Sequence, residues 1–326
     1  MGRKAMRDRR ESVSARRRRR YRSALAGSDR RGLRRVLGGV RRREAQVDLA
    51  AVLQDPAAAR PAQAILDIEA RRAGLVRRLQ AQLAARSGPA RGRAVLILTQ
   101  LRLPDDVARL EHMLDDRDPD VRLVTCAGLP LSREDDAVDA LVRALSRRSL
   151  APERVIERLG QPWAVEPLLA ALRGLDEAGE RRSAPRIGIA RALGVAGDRS
   201  AEPTLVKLLA SGSIEERISA ARALGAVGGR RSRPELERAL GDESWPLRAQ
   251  AAKALGKLAI QRSVPALERV LDDSAWWVRA NAASALRELG EPGRAALERA
   301  LEHEDRYARD RAQEALALDR LGARVP

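Results

Sequence analysis

The chain has 326 residues, of which 63 are Lys or Arg and 45 Asp or Glu, for a formal charge of +18. Phenylalanine is absent, aromatic residues make up 2% and Cys126 is the single cysteine, so the core must be leucine, valine and alanine without a disulfide framework. No run approaches the ~20 apolar residues of a membrane span, and the basic start lacks the apolar segment of a signal peptide, so a cytoplasmic protein is expected.

The charge is uneven. Residues 1–100 hold 26 basic and 8 acidic residues, whereas residues 101–326 hold 37 of each. Residues 1–43 form an arginine-rich segment with 18 basic and 3 acidic residues. Arg16, Arg17, Arg18, Arg19 and Arg20 form one run, and Arg41, Arg42 and Arg43 another. Such charge density predicts a partly disordered or locally helical segment. It suits an anionic membrane surface, nucleic acid phosphates or an acidic protein face. Tyr21 stands alone among these arginines, which disfavours single-strand binding by base stacking.

Residues 44–92 read as helical but off any period, broken at Asp55-Pro56 and Ser87-Gly88-Pro89. They are expected to cap a run of repeats that starts near residue 93, since terminal repeats are atypical.

From residue 93 to 326 the chain repeats. Arg122, Arg154, Arg186, Arg217, Arg248, Arg279 and Arg309 recur at gaps of 32, 32, 31, 31, 31 and 30 residues. In one unit, Leu247, Ala251, Leu255 and Leu258 share a helical face, and Gly256 lies where the chain turns or packs closely. Ser263 reads as the N-cap of a second helix, with Pro265 in its first turn. Val264, Leu267, Val270 and Leu271 give that helix its apolar stripe. Ser200 and Ser232 recur at the same place, followed by Pro203 and Pro234. Each unit is a helical hairpin that buries its apolar face only by stacking on its neighbours.

The pattern at Asp242…Arg248…Leu255-Gly256 and Asp273…Arg279…Leu286, with its first half at Asp116…Arg122, resembles HEAT repeats of the short phycobilisome-lyase type. The resemblance implies an all-α fold, an α-solenoid (armadillo-type superhelix) of about seven stacked hairpins. Second helices would line a concave groove, and an Asp–Arg ladder would link adjacent repeats. The stretch 16–37 also looks like the arginine-rich juxtamembrane segment of some membrane-anchored bacterial HEAT proteins, so membrane association is a further expectation.

Candidate binding residues come from aligning the second helices. Arg143, Lys207, Arg238, Arg269 and Arg299 fall at one position, and Glu237, Glu268 and Glu298 precede the last three. This row is either a set of mutually paired surface charges or a groove that grips an acidic partner segment. Trp245 and Trp276 hold equivalent places three residues before Arg248 and Arg279, as junction packing or as interface anchors.

Catalytic constellations are missing. HEAT-type deoxyhypusine hydroxylases hold two irons with several His-Glu pairs, a ligand set that His112 and His303 cannot supply. HEAT-type alkylpurine DNA glycosylases use tryptophans and an aspartate near a concave DNA face, yet Asp242 and Asp273 belong to the ladder. Cys126 aligns with Ala252 and reads as a small buried side chain. The expectation is a non-enzymatic scaffold or adaptor that binds another protein on its concave face. No cofactor, metal or small-molecule substrate is expected. A nucleic-acid-binding or DNA-repair HEAT protein is the alternative, and a bilin lyase-like chaperone a third.

Overall fold

The computed structural model describes residues 2–27, 29–55, 57, 63–132, 135–147, 150–177 and 183–322. Among these the chain is all α-helix and short 3-10 turns, without strands. It divides into two compact units, Met1–Arg158 and Leu159–Pro326. Each is a stack of helical hairpins, and the fold is an all-α solenoid.

Unit 1 contains α1 (Gly2–Ala26), α2 (Arg30–Gly38), α3 (Arg43–Gln54), α4 (Gln63–Arg72), α5 (Leu75–Gln82), α6 (Gly88–Leu101), α7 (Val107–His112), α8 (Pro119–Gly128), α9 (Asp135–Ala144) and α10 (Pro152–Leu159). Helices α1, α3, α6 and α8 pack in series, while α2 packs on α4 and α7 on α9. The arginine-rich start is part of this stack. Tyr21 and Leu25 of α1 are buried, and Arg17 and Arg18 reach the buried Asp48 of α3 at 2.7 and 3.0 Å. The helix thus sets Tyr21 and Leu25 inward and leaves Arg16, Arg19 and Arg20 exposed.

Unit 2 contains α11 (Val165–Glu177), α12 (Ser183–Ala196), α13 (Glu202–Ser211), α14 (Ile214–Val227), α15 (Arg233–Ala239), α16 (Trp245–Lys257), α17 (Val264–Glu268), α18 (Trp276–Glu288), α19 (Glu291–Ala300) and α20 (Arg306–Gly322). First helices α12, α14, α16, α18 and α20 pack one on the next, and second helices fill the other layer. The anticipated stripe is present: Leu247, Ala251, Leu255, Leu267 and Leu271 are fully buried. Leu258 is only half-buried because α16 ends at Lys257 and the chain reverses through Ala259 in the left-handed region, φ 51°.

Glycine sets the spacing of the first-helix layer. Gly194, Gly225 and Gly256 recur every 31 residues. A Cβ built at each would stand 2.9, 3.2 and 2.8 Å from the Cα of Ala223, Ala254 and Ala285 in the next first helix. A Cβ at Gly194 or Gly256 would force the neighbouring backbone to move, and one at Gly225 would be tight, so Gly256 serves close packing and Ala259 makes the turn.

The serine caps are corrected. Ser232 and Ser263 sit at the N-cap positions of α15 and α17, but neither side chain caps its helix. The Ser232 hydroxyl donates instead to Glu202 of the preceding hairpin, at 2.7 Å. Ser200 lies inside a 3-10 turn that Asp198 caps, and α13 starts two residues later.

Candidate functional site

Two sets of arginines divide the work of this fold. The first set is the ladder. Arg248 donates from Nη1 to the backbone carbonyls of Asp242 and Glu243, at 2.8 and 3.0 Å. Its Nε and Nη2 form a two-pronged bond with Asp273, at 2.6 and 2.8 Å. Asp273 in turn accepts from the Ala275 backbone N–H at 2.8 Å. One guanidinium therefore ties the loop before its own helix to the loop after the hairpin. The planar fork of arginine is suited to this double role.

The same arrangement joins Arg217 to Asp242 at 2.6 Å and Arg91 to Asp116 at 2.7 and 2.6 Å. Arg91 stands 31 residues before Arg122, one period ahead of the seven arginines that the sequence pattern singles out. The Arg91 hydrogen bond holds the Asp116 carboxyl below the usual range for a carboxylate, against the opposing effect of burial.

The ladder is interrupted at Arg122 and at Arg186, and Arg154 is exposed, 3.8 Å from Glu157 of its own helix. Arg122 keeps its carbonyl bond to Asp116, but the position 25 residues on is Arg147, and the Arg122 Nε is buried without a partner. At the position 25 residues after Arg186 stands Ser211, and Arg186 turns back to Asp176 at 2.5 Å. Near the end of the chain Arg279 is buried and lies 4.8 Å from the ring centre of Tyr307. Arg309 repeats the carbonyl contacts on His303 and Glu304, at 2.7 and 2.8 Å.

The second set is the row on the second helices. Arg143 takes Glu111 with two bonds of 2.8 Å each, and Arg299 takes Glu268 at 2.9 and 2.8 Å. Lys207 reaches Asp176 at 3.3 Å. These three pairs cross from one hairpin to the preceding one. Arg238 bonds within its own helix to Glu235 at 2.6 Å. Glu237 is engaged by Arg233 at 3.2 Å, and Arg269 is exposed without an ion pair among the described residues. The paired side chains of this row stay well exposed, 54% for Arg143 and 71% for Arg238. Arg143 belongs to unit 1 and the other four to unit 2.

Trp245 and Trp276 are the first residues of α16 and α18, and 46% of each is exposed. Trp276 meets Trp277 edge-to-face with ring centres 4.6 Å apart, and the Arg311 guanidinium lies 5.7 Å from its ring centre. Both tryptophans therefore offer apolar area to solvent. Arg41, Arg42 and Arg43 are exposed at the start of α3. Arg17, Arg18, Arg42 and Arg43 border a cavity of about 730 Å³ floored by Asp48.

Cys126 is buried, and burial pushes its thiol up to about 11, away from thiolate chemistry. The Nδ1 of His303 accepts from the Asp305 backbone N–H at 3.0 Å, and His112 closes α7. Among the described residues no helix is long and apolar enough to cross a membrane, and no group of three metal-ligating side chains assembles.

The family profile of HEAT repeats matches residues 165–247 and 234–317. No curated protein matches the chain significantly. Among solved structures, human deoxyhypusine hydroxylase in complex with glycerol is 21% identical over 76% of this chain and 96% of its own, with a TM-score of 0.33. YibA of E. coli is 19% identical over 75% of this chain and 96% of its own, with a TM-score of 0.37. Kap121p is 13% identical over 94% of this chain and 46% of its own, with a TM-score of 0.40. The first of these is an enzyme. On that finding the expectation of a non-enzymatic protein is corrected and withdrawn. The chain carries HEAT repeats at two places, within an all-α solenoid of stacked hairpins.

Proposed function

We propose that this HEAT-repeat protein is an interaction scaffold. A partner protein docks along the second helices of unit 2, over Lys207, Arg238, Arg269 and Arg299, with Arg143 as the equivalent position of unit 1. The observation that supports this is the division among the arginines. Ladder arginines such as Arg248 are spent on the fold, whereas the row keeps its cations exposed and Arg269 has no carboxylate among the described residues. Trp245 and Trp276 supply the anchors, because half-exposed tryptophan beside arginine is the composition of interface hot spots. The matching partner surface is acidic with at least one pocket for an indole ring.

The exposed Arg16, Arg19, Arg20, Arg41, Arg42 and Arg43 would hold the scaffold near an anionic surface, at about 1 kcal/mol per arginine close to a charged bilayer. The short phycobilisome-lyase type remains the pattern that the repeats resemble, clearest at Asp242…Arg248 and Asp273…Arg279, with its first half at Asp116…Arg122.

The test is capture of a partner by the wild-type chain and by a variant carrying Arg238→Glu, Arg269→Glu and Arg299→Glu. The expected result is loss of that partner with unchanged helical circular dichroism. Retained capture removes the row as the docking surface.

A further inference from the structure

A third set of arginines lies away from both the ladder and the row. Arg199, Arg230 and Arg262 recur at intervals of 31 and 32 residues. Each sits in the turn between the first and second helix of a hairpin: before α13, before α15 and before α17. All three are exposed, and none makes an ion pair among the described residues. Together with Arg233 they line a cavity of about 760 Å³ in unit 2, whose floor includes Gly228, Gly229 and Ile260. Among the described residues no carboxylate lines this cavity.

The acidic groups nearby are committed elsewhere. Asp198 accepts from the Ser200 backbone N–H at 2.8 Å. Glu202 accepts from the backbone N–H groups of Gly229 and Ser232 at 2.7 and 3.0 Å. Glu237 holds Arg233 at 3.2 Å. Three guanidinium charges therefore converge on one concavity without neutralisation, in a part of the chain that is otherwise balanced. Exposed arginines scattered on a surface are ordinary; three from successive repeats around one cavity are a charge-focusing arrangement.

We infer that this cavity binds a cluster of phosphate groups. Guanidinium forks match phosphate oxygens two at a time, and the volume falls in the range of small-ligand sites. The lining contains no aromatic side chain, so neither a stacked base nor an indole-type protein anchor is served there. The phosphates come either from a free polyphosphorylated molecule or from a phosphorylated lipid headgroup. The inference is independent of the partner proposed for the second-helix row.

The experiment uses the full chain, titrated calorimetrically with inorganic tripolyphosphate and with phosphatidylcholine vesicles with or without a phosphatidylinositol bisphosphate. Two variants accompany it. One carries Arg199→Ser, Arg230→Ser and Arg262→Ser; the other removes equal charge at Arg16→Ser, Arg19→Ser and Arg20→Ser. The expected result is saturable tripolyphosphate binding that weakens at least about tenfold in the first variant and less than about twofold in the second. A variant with lysine at the three turn positions should bind with intermediate strength, because it keeps the charge and loses the fork. Binding to the phosphoinositide vesicles that tripolyphosphate displaces identifies the lipid source; binding of tripolyphosphate alone identifies the free one. No binding by the wild-type chain, equal losses in both serine variants, or binding of polyglutamate as strong as that of tripolyphosphate overturns the inference.

Discussion

Arg248 and Asp273 stand 25 residues apart in sequence and meet through two hydrogen bonds, of 2.6 and 2.8 Å, with both side chains mostly buried. This bond spans a whole hairpin. It also positions the turn into the next one, because Asp273 holds the Ala275 backbone N–H and Arg248 holds the carbonyls of Asp242 and Glu243. Arg248→Ala removes one partner of a nearly desolvated pair and frees two carbonyls. It should cost about 3 kcal/mol of unfolding free energy, read from urea melts. Arg299→Ala, which removes an exposed pair with Glu268, should leave the midpoint nearly unchanged. Equal losses would show that the ladder has no special place in stability.

Acid should weaken the stack at the ladder. The Asp116 carboxyl is held low by its hydrogen bonds from Arg91, so folding favours its ionised form. That stabilisation is complete above the ordinary value for a free aspartate, about pH 4, and is lost as pH falls through the folded value. Melts of the wild type and of Asp116→Asn should therefore differ at neutral pH and converge in acid. A difference that grows on acidification would contradict the assignment.

Glycine substitutions should split by sign. Gly256→Ala places a methyl group 2.8 Å from the Ala285 backbone, which must move, at a cost of about 1–3 kcal/mol. Gly174, inside α11, has nothing within 4 Å of its built Cβ. Gly174→Ala should stabilise by about 0.5–1 kcal/mol through helix propensity. Thermal melts of both single variants check the pair.

The N-terminal helix should contribute to the stability of unit 1. Leu25 is 1% exposed, so Leu25→Ala should destabilise by about 3 kcal/mol. Hydrogen exchange should show the loss in α1 and α3, where Arg17 and Arg18 meet Asp48. Exchange in α1 that is fast in the wild type and unaltered by the substitution would exclude this packing.

The repeat is legible because stacking imposes the same chemistry at the same place. Arg248, Arg279 and their aspartates recur in sequence since each occupies the same place in the stack. Arg91 is hidden from the motif because its own turn lacks the aspartate six residues earlier, and only its partner Asp116 and the period reveal it. The true role of Ser232 is hidden because local pattern cannot show a partner from another hairpin, here Glu202. Arg199, Arg230 and Arg262 have a visible period, but nothing in a sequence tells which arginines lack a carboxylate. The same holds for the row, where Arg238 and Arg269 look alike and only Arg238 has a carboxylate partner among the described residues.

The docking proposal is tested most directly by placing a photocrosslinking residue at position 269, on the row, and at position 195, where the exposed Val195 lies on first helix α12. The account predicts a discrete protein adduct from position 269, absent from position 195 and lost when Trp245 and Trp276 are changed to alanine. An adduct of equal yield from both positions, or none from position 269 while the chain still captures its partner, would contradict it.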